Sequence, residues 1–166
     1  MSPHLPQVIN SDGQSSAARA ALDWAIKLGL EHDGWRPKHK PSLPLPLEPE
    51  IYHLRQTPSL LPYESVERNV KSSDGVLIFT LDPRLNGKLM RTMIAAGRFS
   101  KPRLHVHAAL PSSLDALVQF LTRHRPRRLH INGSAEAQET GIYEQTLKWL
   151  NEAAALLEPA SSELAC

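Results

Sequence analysis

Val76-Leu77-Ile78-Phe79-Thr80, entered through the turn chemistry of Ser72-Ser73-Asp74-Gly75, decides the fold. A nearly continuous apolar run of this length is how a strand reads when helices cover both faces of a parallel sheet. Around it, strand-like and helix-like stretches alternate. Tyr63, Val66 and Val70 mark a helix before the run, and Leu89, Met93 and Ala96 mark one after it, from about Gly87 to Arg98. A strand from Arg103 to His107 follows Lys101-Pro102. A helix from Ser113 to His124 comes next, with Leu114, Leu117, Val118 and Leu121 inward. Leu129-His130-Ile131-Asn132 leads through Gly133 to a last helix from about Ile142 to Leu157. Toward the amino end, Gln7-Val8-Ile9-Asn10 reads as a short strand, Ser11 to Ser16 as turn and cap, and Ala17 to Leu28 as a helix stopped by Gly29.

The pattern predicts an α/β fold, a Rossmann-like three-layer sandwich with a mainly parallel sheet, whose ligands lie beyond the carboxyl ends of the strands. It predicts a single domain over residues 1–158, a frayed tail over 159–166, and a loop-rich excursion over 31–62 with a short strand at Ile51-Tyr52-His53-Leu54. With 166 residues, 41% hydrophobic and 22% charged, the chain is neither a disordered tail nor a fibrous repeat. No run approaches the roughly 18 apolar residues of a membrane span. The opening Met1-Ser2-Pro3-His4-Leu5-Pro6 carries no secretion signal, and the single cysteine is Cys166, so a cytoplasmic protein is expected. A formal charge of +2 argues for neither a nucleic-acid nor a membrane partner.

Two strand-to-helix loops carry chemistry. Asp12-Gly13-Gln14-Ser15-Ser16 can cradle an anion with backbone N–H groups and hydroxyls at a helix start, and Arg19 lies one turn in. The plainer reading is a capped helix with a solvated arginine. Leu85-Asn86-Gly87-Lys88 holds the equivalent place after the buried strand; a lone Gly-Lys is not a P-loop, and a solvated surface loop is the alternative. His105 and His107 share one side of a strand, with His130 expected on the neighbouring strand; without a carboxylate or third ligand in register they read as packing residues, and no metal site is expected. Arg123-His124-Arg125-Pro126-Arg127-Arg128 suits a helix carboxyl end, and no aromatic residues interleave with it to stack bases. There is no G-x-S-x-G elbow and no serine with an adjacent base, while Asp23 and Glu67 read as surface carboxylates. From spacing alone no catalytic residue is assigned.

Six segments in order resemble the molybdenum carrier family, a Rossmann-like group in the same superfamily as the lysine-decarboxylase-like, cytokinin-activating proteins. Gly13-Gln14-Ser15 running into Arg19-Ala20-Ala21-Leu22-Asp23 resembles G-G-Q-T-G-x-D-R-A-A-L-D. Gly34-Trp35-Arg36-Pro37-Lys38 resembles G-W-C-P-K, and Tyr52-His53-Leu54-Arg55-Gln56-Thr57 resembles Y-x-L-x-E-T. Arg68 to Gly75 resembles R-T-x-x-N-V-x-D-S-D-A; Lys101-Pro102, then Gly133 and Gly141-Ile142-Tyr143, complete the series over roughly residues 7–155. The departures fall at the ligand loops. Asp12 replaces a glycine, Ala18 the acidic residue before Arg19, Arg36 the cysteine, Leu89 part of G-G-T, and Ala135 the arginine of G-P-R-E-S.

The resemblance implies a non-catalytic carrier binding an anionic small molecule, a molybdopterin or a nucleotide-like phosphate, and so the molybdenum cofactor as candidate cargo. Its candidate contacts are Gly13, Gln14, Ser15, Ser16, Arg19, Gly87, Lys88 and Gly133, with Trp35 as an apolar wall and Lys38 beside it. Asp12 repels such an anion unless Arg19 or Lys88 neutralises it. The alternative is a divergent paralogue that lost its ligand and acts through protein contacts, as a homo-oligomer using exposed apolar residues such as Trp149 of the last helix. A lesser alternative, hydrolysis of a nucleoside monophosphate at its glycosidic bond, wants a P-G-G-x-G-T loop that the chain lacks.

Overall fold

The computed structural model describes residues 3–38, 49–85 and 87–158. Its strands are β1 (Val8–Asn10), β2 (Glu31–Arg36), β3 (Leu54–Gln56), β4 (Gly75–Thr80), β5 (Arg103–His107) and β6 (Arg128–Gly133). All pair in parallel, in the order β3-β2-β1-β6-β4-β5. The helices are α1 (Ser16–Leu28), the single turn α2 (Pro49–Tyr52), α3 (Pro62–Lys71), α4 (Gly87–Arg98), α5 (Ser113–His124) and α6 (Ile142–Leu157).

The buried run of β4 divides its side chains between two cores. Leu77 and Phe79 join Ile9, Leu129, Ile131 and the inner faces of α1, α5 and α6, whereas Val76 and Ile78 join Val66, Val70, Ala95 and Ala96 of α3 and α4. Helices thus cover both faces, and the three-layer Rossmann-like sandwich is the observed fold. Trp149 corrects the expectation of an exposed contact residue. It is 6% exposed and stacks on Phe79 with ring centroids 5.7 Å apart. The exposed large apolar residue of α6 is Leu156.

Residues 31–36 form β2, where a loop was expected. The sequence Glu31-His32-Asp33-Gly34-Trp35-Arg36 has no apolar alternation, and its strand character comes from pairing with β1 and β3. Gly34 makes that pairing possible, since a Cβ there would lie 1.6 Å from the Ser11 carbonyl oxygen. Residues 51–54 do not form a strand either. Ile51 and Tyr52 close the α2 turn, and β3 starts at Leu54. The expected proline-rich loop falls mostly on residues 39–48, and the expected tail on 159–166, both outside the described residues. No helix among the described residues is long and apolar enough to cross a membrane.

Candidate functional site

From β1 the chain runs through α1 to β2 and β3 on one side, and from β4 through α4 to β5 on the other. The loops leaving β1, β4 and β6 therefore meet where the strand order reverses, the place at which open α/β sheets take ligands. A cavity of about 560 Å³ lies there, walled by Thr80, Asp82, Leu85, Leu89, Ser134 and Glu139. A wider hollow of about 710 Å³ opens at the opposite edge, around Val8, Glu31, His32 and His53 near the amino ends of β1 and β2. That edge carries no strand-to-helix loop ends, so the first cavity is the candidate site.

Beneath the α3–α4 layer the centre of the sheet is polar. Asn10, Asp12, His130 and Asn132 are all at most 1% exposed. Asn10 gives its amide N–H to Asp33 at 3.1 Å and presents its Oδ1 to His130 Nδ1 at 2.8 Å. Arg128 pairs with Asp33 at the far end of the chain of contacts. This arrangement makes His130 Nδ1 the donor and leaves Nε2 a buried lone pair with no partner. Burial, above all, pushes the His130 pKa down to about 4, against the opposing pull of the Asp12 charge.

Asp12 is the second centre. Its Oδ1 accepts the Gln14 N–H at 2.9 Å, and its Oδ2 takes an ion pair from Lys88 and a long bond from Asn132 Nδ2 at 3.4 Å. Burial would raise its pKa. The Lys88 charge and hydrogen bond, with the Gln14 amide, more than offset this and hold the carboxyl below its ordinary value. An aspartate fits at this position because the left-handed residue of the loop is the next one, Gly13, at φ 65°.

The predicted residues separate into two groups. Gly13, Gln14, Ser15, Ser16, Lys88 and Gly133 come together at the loop ends of β1, β4 and β6. Ser15 caps α1 through the Ala18 N–H at 3.1 Å and gives its own hydroxyl proton to Asn132 at 3.2 Å, while Ser16 Oγ accepts from the Glu136 N–H at 2.8 Å. Gly133 serves packing. A Cβ on it would meet the Phe79 carbonyl oxygen at 2.2 Å and Ala17 Cβ at 2.5 Å. Gly87 opens α4 at φ 50°, and Asn86 lies outside the described residues.

Arg19 turns along α1 to Asp23, 3.9 Å away, with its side chain 55% exposed. Asp23 is no free surface carboxylate, since it accepts from Tyr52 and Tyr143 at 2.8 and 2.6 Å. Four residues of the matched motifs thus converge on one cluster that ties α2 and α6 to α1. Burial and the Asp23 contact push Tyr143 up to about 12. Trp35 and Lys38 lie at the end of β2. The Trp35 ring sits under Arg68, 4.6 Å from centroid to guanidinium carbon, and its backbone is held on both sides by Asn69 at 2.8 Å.

His130 is not beside His105 and His107, because β6 pairs with β1 and β4 whereas β5 pairs with β4. His105 instead meets Thr80 Oγ1 at 2.6 Å. Among the described residues no three His, Cys, Asp or Glu side chains cluster as metal ligands.

Sequence reasoning missed Asn10, Asn132 and Glu139. The first two had a signal, polar residues alternating with apolar ones on strands that the topology makes central. Glu139 had none, being one polar residue in a polar loop. Its carboxylate accepts the Leu81 N–H at 3.0 and 3.1 Å, the Asp82 N–H at 2.6 Å, and the Ser134 hydroxyl.

A parallel sheet with a loop-lined crevice at its reversal point defines a Rossmann-like fold. The chain belongs to the circularly permutated YpsA SLOG family, whose model matches residues 9–154. A solved structure similar to it is the putative molybdenum carrier protein from Syntrophus aciditrophicus SB, 33% identical, with a TM-score of 0.77 over 88% of this chain and 93% of that one. No curated protein matches the chain.

Proposed function

We propose that this molybdenum-carrier-like protein binds an anionic small molecule, a molybdopterin or a nucleotide-like phosphate, at the loop ends of β1, β4 and β6, and does not transform it. The observation that carries this reading is Lys88. Its ammonium neutralises Asp12 at the start of α1, its side chain is 28% exposed, and an ammonium has three donors. A ligand anion at the helix start therefore meets a cation and the positive end of the α1 dipole in place of a bare carboxylate. The neighbouring cavity of about 560 Å³ suits a ring system of pterin or nucleotide size. The 33% identity to a protein named for molybdenum carriage supports the cargo class.

Natively purified protein, analysed by elemental mass spectrometry with pterin and nucleotide assays on the denatured extract, tests the reading. Molybdenum with pterin, in proportion to protein, is expected. A nucleotide without molybdenum selects the nucleotide-like cargo and brings glycosidic-bond chemistry into consideration.

A second reading, a paralogue acting through protein contacts as a homo-oligomer, is favoured by one observation. The chain's own carboxylates fill its amide cradles: Asp12 at Gln14, Glu136 at Gly141 and Tyr143 (2.7 and 2.9 Å), and Glu139 at Leu81 and Asp82.

A further inference from the structure

We infer that the amides of Leu81 and Asp82, with the Ser134 hydroxyl, form an oxyanion subsite of the crevice that Glu139 fills as a tethered stand-in for the ligand. The inference rests on the binding reading above and adds to it a subsite and its regulation.

The cradle is two successive backbone N–H groups at the carboxyl end of β4, joined by a hydroxyl from the loop after β6, and all three donate to one carboxylate. Successive amides that converge in this way form a concavity for an anion. The β4–α4 loop does not supply that anion itself: the Asp82 side chain turns to Arg84, at 3.1 Å from both Nε and Nη2. The acceptor comes from Glu139, 57 and 58 residues further along the chain. Glu139 is partly exposed and sits in an irregular loop, and both it and Ser134 wall the cavity of about 560 Å³. Arg84 reaches the same wall and matches the Asp82 charge, so Asp82 adds no unpaired charge against an entering anion.

A phosphate or molybdate oxygen can replace each bond that the carboxylate makes, so the exchange leaves no amide unsatisfied. The affinity that is observed is then the intrinsic affinity reduced by the fraction of time for which the cradle is open. The cost is the reciprocal of the open fraction, about tenfold for a cradle open about one-tenth of the time.

The experiment titrates inorganic phosphate, and separately molybdate, into the wild type, Glu139→Ala and Glu139→Gln by calorimetry, while amide NMR follows Leu81 and Asp82. Glu139→Ala, which empties the cradle, is expected to bind about tenfold more tightly than the wild type, and Glu139→Gln, whose Oε1 can still accept from the amides, to gain less, with the largest shifts at Leu81 and Asp82. Adding Ser134→Ala to Glu139→Ala is expected to give back about fivefold, the worth of one hydrogen bond. Wild-type binding at the α1 start with equal or weaker affinity in both variants overturns the inference and leaves the binding reading intact. Absence of binding in all proteins overturns both.

Discussion

Protonating His130 has nowhere to put the proton's hydrogen bond, and this makes acid stability a direct test of the buried polar layer. Nδ1 already donates to Asn10, and Nε2 is buried without an acceptor. The folded-state pKa of about 4 lies below the unfolded value near 6.5. The unfolded chain therefore binds the extra proton first. His130 contributes stability in full above about pH 6.5 and loses it as pH falls toward about 4. Between about pH 7.5 and about pH 5 the loss integrates to about 2 kcal/mol, a fall in Tm of roughly 4–8 °C for a chain of this size.

Asp12 does not obscure the effect. Its carboxyl is held below its ordinary value of 3.8, so its stabilisation persists above that pH and is lost only as pH falls through the lower, folded value. The assay is urea unfolding of the wild type and His130→Gln at both pH values. Glutamine can still donate to Asn10 and does not titrate. The variant is expected to show a pH dependence smaller by about 2 kcal/mol. Equal pH dependence in the two proteins refutes the assigned tautomer and the buried, unpartnered Nε2.

Lys88→Met leaves the Asp12 carboxylate buried without its cation and is expected to cost about 3 kcal/mol in urea unfolding, with Asp12→Asn in the same chain restoring most of it. A single variant within 0.5 kcal/mol of the wild type would show the pair to be idle. Gly133→Ala is expected to cost about 3 kcal/mol or more, because the new methyl meets backbone at 2.2 Å, and soluble protein of unchanged Tm contradicts that packing. Trp149→Ala, which empties the site beside Phe79, is expected to cost about 3–5 kcal/mol without changing oligomeric state; a change of assembly at unchanged stability would return the residue to an interface role.

The sequence disclosed those elements whose burial makes them apolar. α5 and α6 fall at the positions that the spacing of Leu117, Leu121, Leu150 and their neighbours predicts, and β4 declares itself by its unbroken apolar run. β2 escaped because its strand character is lent by its neighbours. Glu31, Asp33 and Arg36 have no strand pattern, and only Gly34, read together with the Ser11 carbonyl, shows that two backbones touch there. The candidate site was half readable for a related reason. Glycine and serine at a helix start, and Lys88 at another, announce loop chemistry. Which side chain meets which depends on contacts such as Lys88 with Asp12, 76 residues apart, and Glu139 with Leu81. The departure that looked most damaging, glycine to Asp12, carries its own compensation in Lys88.

The proposed site places an oxyanion at the start of α1 beside Lys88. Crystals grown with molybdate and measured at the molybdenum absorption edge locate that anion without reference to its chemistry. One dominant anomalous peak is expected within hydrogen-bonding reach of Lys88 Nζ and the loop that precedes α1. Peaks confined to surface arginines, with the loop before α1 unvisited, would contradict it.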